Sequence, residues 1–178
     1  MLQGSGGGII PPSVKAFRRP RLAVLPAAAI LLVLGGVWLF LPVRFLEIID
    51  EQSGRRYGLF PAEEDARIRL SWIHSVERTP WVEQYRIRGT KLILTEVRVK
   101  SFGAGVDVEA PESKVEGGWV VMHGIHREFD ALHFIYSRRA GHRLHLGNRD
   151  LDLRSRVPHH APVEVRIRKR PRIAGIIE

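Results

Sequence analysis

The chain has 178 residues and a formal charge of +9, with 44% hydrophobic and 26% charged residues, which fits one modest folded domain with an appended segment. It has no cysteine, which excludes disulfides, thiolate metal sites, a catalytic thiol and a lipid-modified cysteine anchor. Residues 1–43 carry Lys15, Arg18, Arg19 and Arg21 with no acid, residues 44–137 carry 13 basic and 15 acidic residues, and residues 138–178 carry 11 basic and 4 acidic; a nucleic-acid module would hold its charge on the folded binding face, so no nucleic-acid partner is expected.

Residues 1–21 begin with the Gly- and Pro-rich MLQGSGGGIIPPSV and read as a disordered, basic, cytoplasmic N-terminus. Residues 22–43, LAVLPAAAILLVLGGVWLFLPV, contain no charge. As a helix of roughly 1.5 Å per residue, 22 residues span about 33 Å, close to the hydrocarbon thickness of a bilayer. Four cations precede the run and mixed charges follow it, so the positive-inside bias predicts a single-pass anchor in a bacterial cytoplasmic membrane with residues 44–178 outside the cytoplasm. The rival reading, a cleaved signal peptide, fits less well. Its apolar region is usually about 7–15 residues long, and no small-x-small site follows Phe40.

From residue 44 to 170 the apolar residues alternate in short runs separated by Gly, Pro, Asn and Ser. This predicts an all-β extracytoplasmic domain, a small antiparallel β-sandwich or partly open β-barrel. The expected strands are 44–50, 55–60, 67–74, 81–88, 91–99, 119–123, 132–137, 143–146 and 163–168, with 171–178 as a tail. Residues 102–118 form the longest expected loop, and such loops are functional or mobile.

Alternation places Ile68, Leu70, Trp72 and His74 on one face of the third expected strand, and Trp81, Glu83, Tyr85 and Ile87 on one face of the fourth. Pairing Leu70 with Ile87 sets Trp72 opposite Tyr85 and His74 opposite Glu83, two apolar pairs and one charge-complementary pair. Pairing Ile87 with Leu92 across the Gly89 turn extends the row to Glu96. Such a row could be a structural ion pair that fixes register, a ligand or divalent-cation site, or a general acid and base. Apolar Ile93, Val97 and Val99 leave open that Glu96 faces the other way. Ser75 and Glu77 follow His74, and Phe102, Gly103, Ala104 and Gly105 follow the row's far end.

The H-x-x-H pairs His123/His126 and His142/His145 put their rings on opposite faces of a strand and carry no metal signal. His159 and His160 read as solvated. The basic run Arg166–Arg172 reads as a charged edge strand or, alternatively, a segment against anionic headgroups. No cofactor is required by the sequence, and no nucleotide-binding, nucleophile-elbow or zinc-protease motif occurs.

The stretch Trp72-Ile73-His74-Ser75-Val76-Glu77, followed by Pro80, Glu83, Leu92, Leu94, Glu96 and Phe102-Gly103-Ala104-Gly105, resembles the uncharacterised bacterial family catalogued as domain of unknown function 1850. The resemblance covers residues 44–170. It implies no known activity. It also implies an accessory role beside TRAP-type transporters of the TAXI subclass, with a permease or solute receptor as partner, and recurring polar positions at His74, Ser75, Glu77, Glu83 and Glu96.

Overall fold

A computed structural model of the protein describes residues 24–100 and 110–176. The chain divides into two compact units, residues 1–37 and residues 38–178. The expected N-terminal stretch 1–21 and the Phe102–Gly105 segment lie outside the described residues.

The apolar run is helical from Val24 to Phe40 (α1). Its side chains are apolar on every side, and Leu32, at 76% relative exposure, typifies them. The helix does not continue to Val43, as the uncharged run suggests. Pro42 opens the first strand instead, because proline has no amide to donate and biases the residue before it away from helical backbone. At about 1.5 Å per residue the 17 described residues of the helix span about 25 Å, short of a hydrocarbon core of about 30 Å. No helix among the described residues is long and apolar enough to cross a membrane.

Among the described residues eleven strands follow: β1 (Pro42–Asp50), β2 (Arg56–Pro61), β3 (Arg67–Ile73), β4 (Pro80–Arg88), β5 (Lys91–Val99), β6 (Glu112–Glu116), β7 (Trp119–Phe129), β8 (Ala131–Ile135), β9 (Arg143–Leu146), β10 (Arg149–Asp150) and β11 (Pro162–Pro171). The described residues also hold a short helix, Leu153–Arg156 (α2), and a 3-10 turn, Arg172–Gly175. One sheet has the order β2-β1-β11-β8 and the other β10-β9-β3-β4-β5-β7-β6, and every pairing is antiparallel. They form an open sandwich. Its core joins Leu46, Ile48 and Val165 of the smaller sheet to Ile68, Ile87 and Leu144 of the larger.

Four expectations are corrected. The expected loop 102–118 contains β6, whose hydrogen bonds to β7 run from Glu112 to Glu116. The basic run Arg166–Arg172 is an edge only in part: β8 pairs with Pro162–Arg166 of β11, and from Ile167 to Pro171 β11 has only β1 beside it among the described residues. Its outward arginines have an internal use. Arg166 and Arg170 reach the carboxylate of Glu47, a side chain 2% exposed, at 2.9 and 2.8 Å, and Arg56 joins them at 3.1 Å.

The third correction concerns register. Leu70 pairs with Glu83, Trp72 with Trp81 and Ile73 with Pro80, four residues from the expected alignment. An even shift keeps every side chain on its face, so alternation alone could not detect it. The turn decides it. The His74 amide donates to Thr79 O, the Arg78 amide donates to His74 O, and Arg78 adopts φ +53°. This compact turn holds His74 beyond the strand end. The fourth correction lies between β4 and β5. Tyr85 pairs with Leu94 as expected, but a bulge at Thr95 then sets Gln84 opposite Glu96. The Thr95 hydroxyl donates to Gln84 O at 3.1 Å across the bulge. One extra residue reverses the face of everything beyond it, so Glu96 points away from the core and Val97 and Val99 point into it.

Candidate functional site

The expected row of His74, Glu83 and Glu96 is therefore divided. Glu83 follows Trp81 on the core-facing side of β4 and has both oxygens occupied. Trp81 Nε1 donates to Oε1 at 3.1 Å and the Tyr85 hydroxyl donates to Oε2 at 2.6 Å. Burial pushes the Glu83 carboxyl above the ordinary range, and these two hydrogen bonds oppose the rise. Burial, then the charge and hydrogen-bond demand of Glu83, raises the Tyr85 phenol, which stays neutral.

His74 reaches Glu83 only through Trp81. Its ring stacks on Trp81 with centroids 5.5 Å apart, and its Nδ1 accepts from the Glu77 amide at 3.3 Å. That acceptance assigns the proton of the neutral ring to Nε2. The stack continues. Trp81 lies against Trp72 at 5.7 Å, Trp72 against His142 at 6.1 Å, and His142 against Phe134 at 5.2 Å. Five rings thus run from β3 and β4 of the larger sheet to β8 of the smaller. Burial holds the His142 imidazole below its usual pKa, opposed by its backbone bond at Ser137. A neutral imidazole suits a stack of faces. Beside this stack the turn after β3 exposes Ile73 and Val76, Val76 at 70%, while Ser75 is also exposed.

Glu96 belongs to another setting on the outer face. It binds Gln84 Nε2, Arg98 Nε at 2.5 Å and His123 Nδ1 at 3.1 Å. Register places it in a polar row that crosses the whole sheet: Asp150, His145, Arg69, Gln84, Glu96, His123 and Glu112 are successive partners. The H-x-x-H spacing of His145 carries no signal for this row, and no motif marks Arg69. Both alternate with core residues, and that was the available signal. The row needed strand order, which joins residues 69 and 145 across 75 intervening positions. Among the described residues, no three His, Asp or Glu side chains gather as a metal site.

The turn at the end of the aromatic stack presents the exposed aliphatic side chains Ile73 and Val76. No curated protein and no solved structure matches the chain. Residues 68–153, from β3 to the first residue of α2, match the family described as Domain of unknown function (DUF1850), and over that stretch the chain resembles its members.

Proposed function

We propose that this chain is a non-enzymatic accessory domain, tethered by the apolar segment 22–43 to the outer face of a bacterial cytoplasmic membrane, where it docks a transport-related membrane protein. The observation that carries the reading is α1. A helix with apolar side chains on every side, nearly all exposed, is unfavourable in water and calls for lipid or apolar protein around it. Residues 22 and 23 extend the uncharged stretch on the N-terminal side of the described helix. The transport partner comes from the family resemblance, which is an analogy of context.

The docking surface is the turn 74–79. Val76 and Ile73 stand exposed beside the half-buried His74, and grouped exposed apolar side chains favour contact with a partner over contact with water. The experiment is capture of the full chain from detergent-solubilised membranes. It is expected in the membrane fraction with an integral membrane protein bound. Val76→Glu should remove that protein without lowering the unfolding temperature, since the side chain packs on little. Retention of the partner by Val76→Glu, or recovery of the intact chain free of membranes, would contradict the reading.

A further inference from the structure

The outer face of the larger sheet holds a groove of about 420 Å³, within the size range of small-molecule sites. Its floor comes from β3, β4, β5 and β9, and its wall includes Trp119. The charges in it are unequal. Arg98 is paired with Glu96, and Glu96 also takes His123. Arg69 and Arg143 line the same groove and have no carboxylate partner among the described residues. Between them lies His145, directly opposite Arg69 and two residues along β9 from Arg143.

His145 is the unusual member. Its side chain is 14% exposed, its Nε2 lies 3.7 Å from Asp150 Oδ2, and its Nδ1 is buried with no hydrogen-bond partner. Buried polar atoms in folded proteins are nearly always satisfied, so an orphan beside two unpaired guanidiniums marks a place for a missing group. Guanidiniums match the planar geometry of carboxylate and phosphate oxygens. Burial, the charge of Arg69 from β3 and the charge of Arg143 on its own strand hold His145 below its usual pKa, and Asp150 on β10 opposes them. An anion placed among these groups would offset the two arginines and let His145 take up a proton, turning Nδ1 into a donor.

We propose that this groove binds a small oxyanion-bearing molecule, a carboxylate or a phosphate, through Arg69, Arg143 and His145, with Trp119 against its carbon portion. The site lies on the opposite face of the sheet from the core-facing aromatic stack. It does not depend on the membrane tether, so the groove would bind its anion even in a chain that fractionated as soluble.

The test uses the full chain in uncharged detergent, titrated separately with inorganic phosphate and with succinate, by calorimetry in buffers of different ionisation enthalpy. One of the two anions is expected to bind saturably with net proton uptake at neutral pH, and the stronger one identifies the chemistry. The double variant Arg69→Gln, Arg143→Gln should weaken binding at least about tenfold, the size expected for lost charged hydrogen bonds, with unchanged circular dichroism. His145→Gln should abolish the proton uptake while leaving weaker binding. Absence of saturable binding for both anions, or wild-type affinity in the double variant, would overturn the proposal. So would proton uptake that survives in His145→Gln.

Discussion

Two glutamates show how the same side chain takes opposite roles in one small domain. At Glu47, burial favours the neutral acid, but the hydrogen bond from Arg166 and the charges of Arg170 and Arg166 outweigh it and hold the carboxyl below its ordinary range. At Glu83 no cation answers the burial, and the carboxyl rises. The signs of their pH dependence follow. A lowered folded-state pKa stabilises above the unfolded value near 4.5, and that contribution is lost as pH falls through the folded value. A raised one does the reverse, so Glu83 ceases to destabilise as pH drops toward the ordinary carboxyl range. Asp50 sides with Glu47. The amide of Ser53, then the hydroxyl of Tyr57, bring it down to about 2.

Acid unfolding should therefore begin below about pH 4.5, driven by Glu47 and Asp50, after the relief from protonating Glu83 is already complete. Glu47→Gln should cost about 2–3 kcal/mol at pH 7. That is below the 3–5 kcal/mol typical of breaking a buried pair, because the three arginines are 23–37% exposed. It should also flatten the fall in unfolding temperature between pH 4.5 and 2. Urea unfolding at pH 7 checks the first and thermal unfolding from pH 4.5 to 2 the second, and an unaltered pH profile in Glu47→Gln would refute the assignment.

At the scale of elements, the nine expected strands all exist because alternation and turn residues act locally, within reach of a reader of the sequence. Register was legible only where the turn is. The Gly89 turn has the left-handed φ of +62° that its residue type announces, and Ile87 lies opposite Leu92 as that turn predicts. Nothing in residues 74–79 announces a left-handed Arg78, so the β3–β4 pairing lies four residues from the alignment that alternation suggests. The Thr95 bulge was likewise hidden, though apolar Val97 and Val99 hinted at it. This is why His74 and Glu83 remain linked through Trp81 while Glu96 does not join them. Gly89→Ala should cost about 1–2 kcal/mol, the ordinary left-handed penalty. A Cβ there meets no atom within 4 Å, so no clash adds to it. A stability equal to wild type would mean the turn relaxes and its conformation does not set the register.

At the scale of the whole molecule, the segment 68–153 that matches the family holds the larger sheet but only β8 of the smaller one. β1, β2 and β11 lie outside it, and they supply Leu46, Ile48, Phe60, Val163, Val165 and Ile167 to the shared core. The sandwich thus closes only when the last strand pairs with the first, β11 against β1 over nine residue pairs, a contact between distant ends of the domain. The tether proposal ties one of those ends to lipid through Leu41, which joins α1 to β1.

Because the chain has no cysteine, a single introduced thiol reports the side of the membrane directly. Ser113→Cys lies on exposed β6, and a membrane-impermeant maleimide applied to intact spheroplasts should label it fully. A Ser5→Cys variant should be labelled only after lysis. Labelling of Ser113→Cys that required lysis would place the β domain in the cytoplasm and contradict the account.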